Sequence, residues 1–204
     1  VYELLGGKVH EKLRSYTYIY PDLAKGQDDS IYWNAEQSAE RAVHYMKLGF
    51  TAIKFDPAAP YSAFDPRQPS LESMELCAKF CRLIREAVGN KCDLLFGTHG
   101  QFTASGAIRF AKQIEPYNPL WFEEPTPPDR PEEMALVARG TSIPIATGER
   151  LVTRYEFREV FEKQACQVIQ PDLCHCGGLW EAKKIAAMAE TYYMGVAPHN
   201  PLEQ

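Results

Sequence analysis

Strand-like and helix-like segments alternate along the whole sequence, and this alternation limits the folds that the chain can adopt. Seven strand-like segments occupy residues 14–21, 51–56, 92–96, 119–124, 143–148, 165–170 and 194–198. Six segments with a helical spacing of apolar residues lie between them, at residues 34–49, 70–89, 105–116, 130–139, 153–164 and 178–192. Strict alternation predicts a parallel sheet, and seven consecutive units favour a closed β/α barrel over an open doubly wound sheet.

The predicted fold class is therefore α/β, an incomplete TIM-type (β/α)7β barrel that forms a single partial domain over residues 1–204. The open doubly wound sheet remains the alternative. No turn between a strand and a helix carries the Gly-x-Gly-x-x-Gly pattern, so a dinucleotide-binding site has no support in the sequence.

Charged side chains end four successive predicted strands. Glu123 and Glu149 lie 26 residues apart, and Asp172 and His199 follow 23 and 27 residues further on. Because the carboxyl ends of parallel strands meet at one end of a barrel, these side chains are expected to lie close together. An ionised carboxylate is costly to bury unless a partner compensates its charge, and a bound cation is the expected partner.

Three further candidates belong to the same end of the barrel. Lys54 and Asp56 end the second predicted strand, and His99 follows the third. The connection from residue 57 to residue 69 contains four prolines and is too long for a plain strand-to-helix loop, so we expect it to fold over the mouth of the site.

Composition excludes several classes of partner. The formal net charge is −5 and the sequence has no cluster of Lys and Arg, which argues against nucleic acid and against an acidic membrane surface. No stretch approaches the 18 apolar residues of a membrane span. The first residues lack the organisation of a signal peptide, so a cytoplasmic location is expected.

The motifs around these strand ends resemble those of a known family. In order, they are Phe122-Glu123-Glu124-Pro125, Gly148-Glu149-Arg150, Gln170-Pro171-Asp172-Leu173 and Ala197-Pro198-His199. Their order and spacing resemble the mandelate racemase subgroup of the enolase superfamily. Within it, the resemblance is strongest to acid-sugar dehydratases of the galactonate dehydratase type and to sugar-acid cycloisomerases.

The resemblance implies a larger protein than this chain. Members of the family carry an amino-terminal capping domain before the barrel and a last helix and strand after the histidine, so the sequence is expected to be a fragment. The full-length protein is expected to be a homo-oligomer that acts on a small-molecule sugar acid.

The resemblance also implies a Mg²⁺ site, with Glu123 and Glu149 as two of its ligands. The family's third ligand is an aspartate at the position of Gly97. Two residues could compensate for this glycine, namely Asp56 and His99. We favour Asp56 as the harder oxygen ligand and assign His99 to proton transfer.

Catalytic roles follow from the same resemblance. His199 and Asp172 match the general-base pair, in which the carboxylate orients the imidazole. His99 matches the histidine that protonates the departing hydroxyl, and Lys54 matches a lysine that contacts the substrate carboxylate. Asp56 replaces the second lysine that two-base racemases use, which favours a one-base elimination.

These roles predict a Mg²⁺-dependent lyase that dehydrates a sugar acid to its 2-keto-3-deoxy product. Cycloisomerisation of an anhydro-sugar acid or a sugar lactone is the alternative within the same chemistry. A barrel without catalysis, serving as a binding or regulatory protein, is the alternative from another class, and Gly97 keeps it open.

Overall fold

The computed structural model describes residues 1–58 and 68–200, and their backbone forms one parallel sheet. Its seven strands are β1 Thr17–Tyr18, β2 Ala52–Phe55, β3 Asp93–Phe96, β4 Trp121–Glu123, β5 Ile145–Thr147, β6 Val168–Ile169 and β7 Gly195–Val196. Every strand pairs in parallel with the next one in sequence, which gives the order β1 to β7. The predicted incomplete barrel is therefore confirmed.

Six α-helices of the described residues connect these strands. They are α1 Ala35–Lys47, α2 Leu71–Val88, α3 Ala104–Ile114, α4 Pro131–Gly140, α5 Thr153–Glu162 and α6 Leu179–Thr191. Side chains of Asn34, Ser70 and Thr103 accept backbone N–H bonds at the starts of α1, α2 and α3, which satisfies donors that the helices leave unpaired. In the described part of the chain, no helix is long and apolar enough to cross a membrane.

All seven strands are shorter than the sequence predicts, and two of them differ the most. The segment at 14–21 contributes only Thr17–Tyr18 to the sheet, and the segment at 165–170 contributes only Val168–Ile169. Apolar composition continues beyond the residues whose backbones pair with a neighbour, so the sequence overestimates the length of the ladder. The proposed cover over residues 57–69 lies largely outside the described residues, because 59–67 are among those not described.

The sheet separates two apolar layers. Phe96 and Phe122 point toward the helices and belong to the large core, where their ring centroids lie 5.6 Å apart. Leu95 and Trp121, one residue earlier in each strand, belong to a smaller cluster on the opposite face. Because successive side chains of a strand point to opposite faces, the second face is the barrel interior.

Candidate active site

The alternation of side chains along each strand determines which residues line the site. Ala52, Leu95, Trp121, Val168 and Ala197 all pack on the barrel interior. The residues two positions further along face the same way and lie at the carboxyl ends of the strands. They are Lys54, Gly97, Glu123, Gln170 and His199.

Glu123 is completely buried and accepts three hydrogen bonds. Lys54 Nζ donates to Oε1. Trp121 Nε1 and Gln170 Nε2 both donate to Oε2, each at 3.0 Å. Burial alone would raise the pKa of Glu123, but the charge and hydrogen bond of Lys54 outweigh it and lower that pKa. Burial likewise opposes the charge on Lys54, yet Glu123 raises the Lys54 pKa to about 12, so the pair is ionised.

Glu149 lies in the opposite electrostatic situation. Burial raises its pKa, and the nearby charges of Glu124 and Glu123 raise it further, although His199 opposes this effect. His199 Nε2 approaches Glu149 Oε2 to 3.2 Å. The contact is not aligned as a hydrogen bond, and Oε2 has no hydrogen-bond partner among the described residues. The site therefore contains a carboxylate with one buried oxygen whose charge is incompletely compensated.

Asp172 and His199 form a pair beside this carboxylate. His199 Nδ1 lies 2.9 Å from Asp172 Oδ2, and the other oxygen of Asp172 accepts backbone N–H bonds from Cys174 and His175. Burial opposes ionisation of Asp172, but the bond to His199 and these backbone bonds lower its pKa. Nε2 of His199 is thereby directed toward Glu149 and the interior of the site.

His99 lies on the same side of the barrel and is paired with Asp56. Its Nδ1 is 3.1 Å from Asp56 Oδ2. The hydrogen bond to Asp56 raises the pKa of His99, and this effect exceeds the opposing effect of burial. The structure therefore brings together the two residues that could replace the ligand missing at Gly97.

A second ion pair, not anticipated from the sequence, connects neighbouring strand ends. Arg150 Nε and Nη2 bond Glu124 Oε2 at 2.9 and 2.7 Å, and Thr147 donates to the other oxygen. Glu124 has a positive φ of 46°, a conformation that side chains rarely adopt. It is fully buried, so Arg150 supplies the charge that compensates it.

The donors of the site suit a divalent cation. Glu123 and Glu149 provide hard carboxylate oxygens, and the unbonded, buried oxygen of Glu149 needs a positive partner. Within residues 1–58 and 68–200, no group of three or more His, Cys, Asp or Glu side chains is arranged to hold a metal. The ammonium group of Lys54 already bonds one oxygen of Glu123.

The predicted site residues thus form three groups, in which Lys54 contacts Glu123, Asp56 contacts His99, and His199 contacts both Asp172 and Glu149. Sequence reasoning missed the partners of Glu123. Trp121 and Gln170 could have been found, because Trp121 precedes Glu123 by two residues and Gln170 precedes Asp172 by two.

Several curated proteins are similar to this chain over almost its whole length. A D-galactonate dehydratase of Xanthomonas euvesicatoria pv. vesicatoria (strain 85-10) is 36% identical over 202 residues, covering 99% of this chain and 49% of the relative. A D-xylonate dehydratase of Haloferax volcanii is also 36% identical, covering 98% of this chain and 47% of the relative. The chain spans about half the length of the curated relatives it matches.

A solved structure is also similar to this chain. The mandelate racemase/muconate lactonizing enzyme-like protein from Roseovarius sp. TM1035 is 51% identical with a TM-score of 0.94, and the match covers 97% of this chain and 50% of that protein. The model of the enolase C-terminal domain-like family matches residues 37–204. The resemblance predicted from the strand-end motifs is therefore confirmed, and the chain belongs to the enolase C-terminal domain-like family.

Proposed function

We propose that the protein is a lyase that removes the proton next to a sugar-acid carboxylate and eliminates water, giving a 2-keto-3-deoxy sugar acid. The observation that carries this proposal is the contact of His199 with Asp172 on one side and Glu149 on the other. The names of the relatives, which are dehydratases of galactonate and xylonate, support this substrate class.

His199 is the proposed general base. With Nδ1 bound to the Asp172 carboxylate, the imidazole is held in one orientation and one tautomer, which leaves Nε2 to receive the substrate proton. As this C–H bond breaks, its electrons move onto the substrate carboxylate and give an ene-diolate, which can be reprotonated. When the electrons return, they form a double bond to the neighbouring carbon, and the C–O bond on that carbon breaks as the oxygen takes a proton. The resulting enol tautomerises to the keto product.

His99 is the proposed acid for the departing hydroxyl. Asp56 raises the pKa of His99, so the imidazole keeps its proton up to a higher pH than a free histidine does. Transfer of this proton to the leaving oxygen produces water. The proton taken by His199 and the proton given by His99 thus balance one elimination.

Glu123 and Glu149 would hold Mg²⁺ in this proposal, with Asp56 favoured as the third ligand because Gly97 has no side chain. The cation would supply positive charge that stabilises the negative charge developing at the substrate carboxylate. Lys54 would contact the same carboxylate from the second strand.

Proton exchange in deuterated water tests these assignments. Candidate sugar acids are incubated with the full-length protein and its variants, and loss of the α-proton signal is followed by proton NMR. His199→Asn should stop both exchange and dehydration, because the base is removed. His99→Asn should stop dehydration while exchange persists, since the base remains.

His44→Asn is the matched control, because His44 is exposed on α1. Both reactions should be unchanged in this variant. Exchange that survives in His199→Asn would show that another group is the base, and Lys54 would be the next residue to test. If no sugar acid exchanges its α-proton with the unaltered protein, the proposed lyase activity is wrong.

A further inference from the structure

Position 97 faces the barrel interior without a side chain, and its backbone does not explain the glycine. Its φ lies outside the left-handed region in which glycine is favoured, unlike that of Gly100, which is +76°. An alanine could adopt the same backbone conformation. The space around position 97, and not its backbone conformation, therefore accounts for the absence of a side chain there.

Lys54 uses that space. A Cβ atom at position 97 would lie 3.0 Å from Lys54 Cε and 3.6 Å from Asp56 Cβ. Lys54 lies on β2 and its side chain reaches Glu123 on β4, while Gly97 directly follows the intervening strand β3. The lysine stem thus crosses over the end of β3 at the one residue there that has no side chain.

The ammonium group of Lys54 also limits what else Glu123 can bind. It occupies Oε1, while Oε2 accepts bonds from Trp121 and Gln170. A carboxylate as fully buried as Glu123 requires a compensating positive charge. A divalent cation can satisfy the same requirement, and its charge would repel the ammonium group of Lys54 at the same carboxylate.

We propose that Gly97 and Lys54 form a matched pair, in which Gly97 gives Lys54 access to Glu123 and Lys54 competes with the divalent cation for that carboxylate. This inference rests on the cation of the proposed function. Lys54 is a positioning residue in this role. Once displaced, its ammonium group remains charged and at the strand ends, where it can contact the substrate carboxylate.

Binding of Mn²⁺ to the full-length protein tests the competition without reference to activity. The electron paramagnetic resonance signal of free Mn²⁺ reports the dissociation constant in the absence of substrate. Lys54→Met keeps the apolar stem and removes the charge, so it should bind Mn²⁺ at least tenfold more tightly than the unaltered protein. Lys163→Met, which removes one charge at the surface pair with Glu132, should bind Mn²⁺ as the unaltered protein does.

A second variant covers the case in which Lys54→Met fails to fold. Gly97→Ala keeps every charge, but its Cβ displaces the lysine stem and weakens the bond to Glu123. It should bind Mn²⁺ about threefold more tightly, and its circular dichroism spectrum should match that of the unaltered protein.

The outcomes separate this inference from the proposed function. Equal or weaker Mn²⁺ binding by Lys54→Met, or by Gly97→Ala when only that variant folds, overturns the competition and leaves the cation site standing. If neither the unaltered protein nor the folded variants bind Mn²⁺, both the competition and the metal-assisted mechanism are wrong. Tighter binding by the variants together with unchanged binding by Lys163→Met supports the inference.

Discussion

Asp172 and His199 are joined twice, through their side chains and through their backbones. Oδ2 of Asp172 lies 2.9 Å from Nδ1 of His199, and the two residues also form an isolated parallel β-bridge beyond the ends of β6 and β7. The backbone bridge fixes how far apart their Cα atoms lie. The imidazole is therefore oriented by the sheet as well as by the carboxylate.

Asp172→Asn should lower kcat for the responsive sugar acid by about 100-fold or more, because an amide neither stabilises the imidazolium nor selects the required tautomer. Since Glu123 and Glu149 are unchanged, the affinity for Mn²⁺ should stay within about twofold. Steady-state kinetics and metal titration measure the two quantities. Asp129→Asn, on an exposed loop, is the control, and a kcat equal to its value would remove Asp172 from the base pair.

Glu149→Gln should weaken cation binding without lowering the stability of the fold. The raised pKa of Glu149 means that its ionisation costs stability as the pH rises above the value of an unfolded glutamate, about 4.5. Without metal at pH 7, the variant should therefore be as stable as the unaltered protein or more stable by about 1 kcal/mol. Mn²⁺ affinity should fall at least tenfold, since a charged ligand is lost.

Urea denaturation and Mn²⁺ titration measure these two effects. The stability difference should shrink as the pH falls through about 4.5, because Glu149 then becomes protonated in the unfolded state as well. Undiminished Mn²⁺ affinity would exclude Glu149 as a ligand, and a less stable variant at pH 7 would contradict the uncompensated charge.

Gly100→Ala should destabilise the fold through Arg150. Gly100 has a φ of +76°, and a Cβ there would collide with Arg150 Nη2 and lie 3.1 Å from Pro127 Cα. Gly26 is a matched control, because its φ is +75° and an added Cβ would meet nothing within 4 Å. Gly26→Ala should cost about 1 kcal/mol of backbone strain. Gly100→Ala should cost at least about 1 kcal/mol more, because backbone and ion pair must both move.

Chemical denaturation compares the two alanine variants under identical conditions. Equal losses would mean that the Glu124–Arg150 pair tolerates the added carbon, and would contradict the close approach of Arg150 to Gly100.

Glu115, which lies away from the site, should make the stability of the fold depend on pH. Its carboxylate accepts bonds from Thr141 Oγ1 at 2.6 Å and Ser142 N at 2.8 Å, and these bonds lower the Glu115 pKa to about 2. A depressed pKa contributes stability above the unfolded value, which is lost as the pH falls toward the folded one. Glu115→Gln should therefore be about 1.5 kcal/mol less stable at pH 7.

This deficit should diminish between about pH 4.5 and pH 2. Thermal denaturation at several pH values measures it, with Glu190→Gln, exposed at the end of α6, as the control. A deficit that does not change with pH would show that the charge on Glu115 is unimportant.

The sequence predicts the sheet order and the strand-end residues because both follow from local periodicity. Glu123 and His199 were found as the charged ends of apolar segments. The partner of Lys54 could not be found in this way. Its bond to Glu123 depends on the side chain crossing a third strand at Gly97, and the sequence contains no local signal for the direction of that side chain.

The strand order from β1 to β7 also has a kinetic consequence. Among the described residues, each strand pairs only with its neighbours in sequence, so every ladder closes a short length of chain and the sheet can grow one unit at a time. His199, by contrast, meets Asp172 only when the last unit has docked. During refolding, the helical signal should therefore return before the proton-exchange activity. Recovery of that activity would indicate that the sheet is complete.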